Sequence, residues 1–375
     1  MAKILIVGGG FGGVVAAESL GRKLGGEHQI VLVSRSRNFL FYPALVRLAF
    51  GRGEPDDVSF DLREAMLDRR ITFVEGEIAR VDPDAHQVTV TRGEFSGQMN
   101  YDFLVFALGR RLATERVSGF FEHAHHLLNV AATLKFREAL RTFPGGHIIL
   151  GYCPGARLPV PLFETAFAFS RWNEKREPRQ RAVITIVSDE TPGEMFDDVA
   201  IAETLSEAME SRGIEFVSDF SISRVTEGSV ITGEGRAVKY DLAALIPPFC
   251  GPAAILGKDL TDSEGYVRVE TTMRVPGVER MYAVGDCVSF PGPKMGHMAV
   301  RQAEVAAENL AAEVAGVPLS AAYEHELTLV LETDGRDSIY LHRDLWTDDP
   351  PKIKQGRFWA WAKRGHEQYW MRQHG

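Results

Sequence analysis

The first thirteen residues constrain this chain more than any other stretch. Lys3-Ile4-Leu5-Ile6-Val7 is a short apolar run rich in β-branched residues, followed by Gly8-Gly9-Gly10-Phe11-Gly12-Gly13 and a helix-like stretch from Val14 to Leu24. The order predicts strand, glycine turn and helix. Gly8, Gly10 and Gly13 fit G-x-G-x-x-G. The first glycine permits the tight turn, the second lets a pyrophosphate approach the backbone, and the third lets helix and strand pack closely. The helix start then offers unpaired N–H groups and a positive dipole end to the phosphates. A glycine-rich structural turn is the alternative, and the strand-turn-helix context weighs against it.

The chain has 375 residues, enough for two domains. No run of eighteen apolar residues occurs, so no membrane-spanning helix is expected, and the opening strand leaves no place for a secretory leader. Cys153, Cys250 and Cys287 are the three cysteines, too few for a disulfide scaffold, and no metal-type spacing is present. A cytoplasmic protein is expected. The net charge is −9 and unevenly placed: residues 352–375 carry +5, which leaves −14 on the rest. An acidic body argues against nucleic acid as a partner, whereas the basic, aromatic tail suits an anionic membrane surface.

Gln29 to Ser34 reads as the second strand, ending in Ser34-Arg35 where many dinucleotide folds carry an acid for the ribose. Ser34 can still bond a hydroxyl, and Arg35 can lie along an adenine or near a phosphate. Phe39 to Pro43 is an apolar loop that either closes over a cofactor or joins the core. Ile71 to Val90 reads as strands, and Tyr101 to Gly109 as a buried strand. A second α/β unit starts at Gly146, with strands at 147–151, 182–188, 214–217 and 241–248, a long helix from Glu194 to Gly213 and a β meander over 222–240. Tyr282 to Cys287 is a late strand with Asp286 at its end, and Gly296 to Ala315 is helical. The A-x-G-D of Ala283 to Asp286 is a flavin signature: the carboxylate takes a ribityl hydroxyl and the next helix faces the isoalloxazine. A helix N-cap is the alternative for Asp286. Glycine loop, buried strand and A-x-G-D together point to FAD.

With these motifs the sequence resembles the two-dinucleotide-domain flavoprotein disulfide-reductase superfamily, in its branch of sulfide:quinone oxidoreductases, flavocytochrome c sulfide dehydrogenases and type II NADH dehydrogenases. Val33-Ser34, Pro293-Lys294-Met295-Gly296-His297-Met298, the tail with Trp359, Trp361, Glu367, Tyr369 and Trp370, and the loop Gly151-Tyr152-Cys153-Pro154-Gly155-Ala156 resemble its sulfide branch. The resemblance implies an α/β fold with two Rossmann-like domains. One is an FAD domain over 1–113 and 250–325. The other is a second Rossmann-like domain over 114–249, and a C-terminal segment over 326–375 serves as a membrane or quinone-site element. The candidate FAD contacts are Gly8, Gly10, Phe11, Gly13, Ser34, Arg35, Pro43, Ile78, Ala107, Gly109, Asp286, Lys294 and Gly296.

An NADH-using relative needs glycines in the second loop. Here Cys153 stands at the central position and Pro154 lacks an N–H, so NADH binding is expected to be lost. The resemblance makes Cys153 a redox cysteine, with a small buried residue as the alternative. The family's late cysteine falls at Val330, before Asp334-Gly335, so Cys250, which also follows a strand end, is the expected partner of Cys153. Glu164, in Pro161-Leu162-Phe163-Glu164, resembles a family carboxylate able to move protons. The resemblance implies sulfide oxidation through cysteine and flavin, with two electrons passed to a quinone. It also implies peripheral contact of 352–375 with the inner face of the cell membrane, and leaves room for a homo-oligomer. The alternatives are a type II NADH:quinone oxidoreductase, an electron-transfer subunit like that of flavocytochrome c sulfide dehydrogenase, and a non-catalytic flavin-binding relative.

Overall fold

A computed structural model describes residues 1–333 and 337–375. The opening run forms β1 (Lys3–Val7) and the glycine loop leads into α1 (Phe11–Leu24). β2 (Gln29–Ser34), β3 (Thr72–Asp82), β4 (Gln87–Gly93), β5 (Gly97–Asn100) and β6 (Phe103–Phe106) follow, with a short helix α2 (Leu45–Ala49) between β2 and β3. A second sheet takes β7 (Gly146–Tyr152), β8 (Ala182–Ser188), β9 (Ile214–Val217) and β10 (Leu242–Ile246), in the order β9-β8-β7-β10 and all parallel. The helix α3 (Pro159–Glu174) connects β7 to β8. The chain then returns to the first sheet with β11 (Met281–Ala283), which pairs parallel to β6. The first sheet therefore runs β11-β6-β1-β2-β3-β4-β5, parallel through β3 and antiparallel beyond it. Ile4 to Val7 and Leu104 to Phe106 are fully buried, as expected for strands covered on both faces.

Two differences from the sequence reading have clear causes. The single helix expected from Glu194 to Gly213 is two helices, Pro192–Phe196 and Val199–Glu210. Asp197 adopts a left-handed φ of 54°, and the Asp198 side chain then caps the second helix by accepting from Ile201 N at 2.9 Å. The C-terminal segment holds more structure than a tail. After α4 (Gly296–Val314) come three antiparallel strands, β12 (Glu326–Glu332), β13 (Ser338–Asp344) and β14 (Lys352–Gln355), and a final helix, α5 (Arg357–His374). Leu327, Leu329 and Leu331 alternate inward along β12 and join the core of the second sheet.

α5 closes back on the first sheet. Trp370 packs on Phe11, Phe39 and Phe41 at centroid distances of 4.8, 4.7 and 5.5 Å. Such aromatic pairs contribute about 0.5–1.5 kcal/mol each beyond area burial. His374 Nδ1 lies 2.6 Å from Glu18 on α1, which also pairs with Arg69 at 3.0 Å.

Candidate active site

A single cleft of about 1680 Å³ runs from the glycine loop, between the two sheets, to the inner face of α5. Its first part has the shape of a dinucleotide cradle. Gly8 has φ +113°, and a Cβ there would collide with the Ala107 carbonyl. A Cβ at Gly13 would collide with the Gly8 carbonyl, whereas the space over Gly10 is open. The first and third glycines thus serve the turn and the packing, and the second faces the ligand. Gly8, Gly10, Phe11, Ser34, Arg35, Pro43, Ile78, Ala107, Gly109, Asp286, Lys294 and Gly296 all line the cleft, while Gly13 lies behind it, under the loop. The cradle fits FAD.

Asp286 follows β11 and forms an ion pair with Arg110, an arginine that the sequence reading did not single out. The preceding Gly285 N–H donates to Gln302 Oε1 on α4 at 2.7 Å, which fixes the strand end against that helix. Lys294 is buried. Its Nζ donates to the carbonyls of Val288 at 2.6 Å and Phe290 at 3.0 Å, and it sits 4.6 Å from the Tyr266 ring centroid. Burial, helped by the nearby Arg157 charge, lowers its pKa to about 8.

The thiols do not form the expected pair. All three cysteines are free and buried, and no disulfide links Cys153 to Cys250. Cys153 does not line the cleft; it packs with Ile149, Phe220, Ile222 and Leu245. The reason is the period of two along a strand. Ile149, Gly151 and Cys153 share one face of β7, and the Cys153 N–H donates to Ile246 O at 3.0 Å, which carries the ladder one residue further. Burial, with Asp189 nearby, raises its pKa well above the usual thiol range. Cys250 does line the cleft, beside Arg111 with which its strand pairs. Val330 lines it from β12; Asp334 and Gly335, also part of that expectation, lie outside the described residues. Cys287 is buried in the core of the first sheet.

At the far end the cleft meets a buried charge cluster. Glu164 on α3 accepts from Glu332 N at 2.9 Å and is bonded to Lys363 of α5. One helical turn after Lys363, Glu367 accepts from Arg47 of α2 at 2.6 Å. Burial raises the pKa of both carboxyls, opposed by Lys363 at Glu164 and by Arg47 at Glu367. Glu164, Lys363, His366, Glu367 and Trp370 all line the cleft. The sequence marked Glu164, Glu367 and Trp370, but not that Lys363 would meet Glu164 across 199 residues.

The second loop is poorly suited to a pyrophosphate. Pro154 has no N–H, and α3 begins Pro159-Val160-Pro161, so two of its first three residues lack one as well. Ser188-Asp189-Glu190, at the carboxyl end of β8, is the acidic strand end that such a domain uses for a ribose.

Fold and cradle together are those of a two-sheet flavoprotein oxidoreductase. The chain belongs to the pyridine nucleotide-disulphide oxidoreductase family, whose model matches residues 2–151 and 163–303. The match leaves out 152–162, the altered second loop and helix start, and ends before the C-terminal segment. The protein is an FAD-dependent oxidoreductase, with FAD as its cofactor. It is 25% identical over 400 residues to the sulfide-quinone reductase of Aquifex aeolicus, covering 99% of this chain and 91% of that one. It is 21% identical over 341 residues to a type II NADH:quinone oxidoreductase of Staphylococcus aureus, covering 82% and 81%. The crystal structure of the sulfide:quinone oxidoreductase from Aquifex aeolicus superposes with a TM-score of 0.91 at 22% identity, over 99% of this chain and 91% of that one.

Proposed function

We propose that this protein passes two electrons from hydrosulfide to a quinone, and that it does so without a cysteine disulfide. One observation carries the reading: the FAD cradle opens at its far end onto an apolar cleft that stops at the Glu164–Lys363 pair. Bound FAD supplies the two-electron carrier between donor and acceptor. The net change balances as hydrosulfide, quinone and one proton giving zero-valent sulfur and quinol. Hydrosulfide loses two electrons and a proton; the quinone gains two electrons and two protons.

The chain's own groups divide this work. Pro43, Val46, His366 and Trp370 border the acceptor end and hold a flat apolar ring. Glu164, kept protonated to higher pH by burial, delivers a proton to a quinone oxygen, and Lys363 holds it in place. Cys250, the one cysteine among the described residues that lines the cleft, carries the sulfur as a persulfide until a second hydrosulfide removes it. The domain boundaries 1–113 with 250–325, 114–249 and 326–375 belong to this reading, as does docking of α5 on a membrane surface. Phe358, Trp361 and Tyr369 are exposed on α5, and their spacing of three and eight residues puts them on one face, opposite Glu367 and Trp370.

Type II NADH:quinone oxidoreduction is the second reading, favoured by the acidic end of β8. Against it stand Pro154 in the loop and Pro159 and Pro161 in the first turn of α3, each lacking an N–H where a pyrophosphate would be held. Steady-state quinone reduction with sulfide or NADH as sole donor tests the choice. A sulfide rate at least tenfold above the NADH rate supports the proposal, and the reverse ratio overturns it.

A further inference from the structure

We propose that Arg110 is a positioning residue for the cofactor: it holds the Asp286 side chain in place through their ion pair, and keeps a fixed positive charge in the FAD cleft. The inference rests on FAD as the cofactor and is independent of the choice of donor.

The local chain delivers Arg110 to this place. β6 ends at Phe106, and Gly109, at φ +68°, turns the backbone in the left-handed region just before Arg110. The two segments that cross between the sheets pair antiparallel, Leu112 with Phe249 and Arg111 with Cys250. This pairing sets the Phe249 ring under the Arg110 guanidinium, 4.3 Å from its centroid. The Tyr42 ring lies 6.0 Å away on the same cleft. The side chain is 12% exposed, and its ion pair with Asp286 uses Nη1. Its Nε is buried with no hydrogen-bond partner. A guanidinium stacked, paired on one nitrogen and unpartnered on another has donors left for a ligand in the cleft.

The neighbouring charges bear on the cofactor as well. Arg110 and Lys294 both line the cleft; Asp286 and Asp262 are the carboxylates in the surroundings of Lys294, and Asp286 is the one paired with Arg110. Arg157, the next cation, is already paired with Glu264 at 3.0 Å. Arg110 brings a fixed positive charge into the cleft, where fixed charges act more strongly than in water. Such a charge favours the reduced cofactor, which carries more negative charge. Asp286, held by Arg110, meets the ribityl hydroxyl as an acceptor and needs no reorientation.

The test uses the full-length protein with R110Q and R110K, and reads two quantities besides turnover. The first is the FAD dissociation constant of the apoprotein, from flavin fluorescence. The second is the two-electron midpoint potential of the bound flavin, from equilibration with redox dyes. For R110Q the expected result is at least tenfold weaker FAD binding and at least a tenfold loss of preference for reduced over oxidised flavin, which is about 30 mV more negative. R110K, which keeps the charge, is expected to retain most of both. A wild-type potential in R110Q overturns the proposal. If R110Q retains no FAD, R110K decides: near-normal binding supports the charge assignment, and equal loss in both variants overturns it. Neither readout needs sulfide or quinone, so failure here is distinguishable from failure of the proposed reaction.

Discussion

At Cys153 the thiol packs away from the cleft although it stands in the loop that the motif marks. The loop departs from the glycine pattern as the sequence indicates, but the strand runs one residue further than its apolar run suggests. That extension turns the thiol into the cluster around Phe220 and Ile222. Replacing it with serine puts a hydroxyl among apolar side chains. C153S is expected to lose about 1–3 kcal/mol in urea unfolding, with sulfide-driven flavin bleaching within twofold of wild type. C250S is expected to slow that bleaching at least tenfold; equal effects of the two changes would remove Cys250 from its assigned role. Lys294 gives a pH test. Burial lowers its pKa from 10.5 to about 8, so its contribution to stability is full above 10.5 and is lost as pH falls through 8. The FAD-free protein should therefore gain stability between pH 8 and 10.5, and K294M should lack that part of the gain in urea unfolding. Cleft-lining positions that follow a known motif, such as Gly8, Gly10 and Asp286, were legible in the sequence. Arg110 was not, because its role depends on a ring 139 positions later that only the crossing segments bring beneath it.

Among the elements, the Rossmann strands were legible because β-branched runs bounded by glycine have few other solutions. β12 was missed because its alternation of Leu327, Leu329 and Leu331 is short and half polar. α5 carries two of the account's functions on opposite faces. Serine at Phe358, Trp361 and Tyr369 together is expected to lower sedimentation with anionic vesicles at least tenfold, while reduction of a water-soluble quinone stays unchanged. Loss of both would mean that the exposed face supports the fold. On the inner face, the α3–α5 contact through Glu164 and Lys363 enters the proposed reaction only at the proton step. E164Q is expected to slow quinone reduction at least tenfold and to flatten its pH profile, and to leave flavin bleaching by sulfide intact. A profile of unchanged shape would assign Glu164 to structure. The raised pKa of Glu164 gives the sign: the proton is available below that pKa and is lost as pH rises through it.

For the whole molecule, a mixed sheet, a parallel sheet and a returning strand place the cleft beyond the carboxyl ends of β1, β6 and β11, with the start of α3 bordering it from the second sheet. The family follows from a match that spans both sheets, and the cofactor cradle is built on the first. The proposed substrates rest on what borders the cleft: the proline-rich start of α3 on one side and α5 on the other. The central claim is that hydrosulfide, and not NADH, reduces this flavin without a disulfide. Anaerobic mixing of the oxidised protein with each donor, followed at the flavin band, tests it directly. The account predicts fast bleaching by sulfide in both wild type and C153S, and slow or no bleaching by NADH. Fast bleaching by NADH, or loss of the sulfide response in a folded C153S, would contradict it.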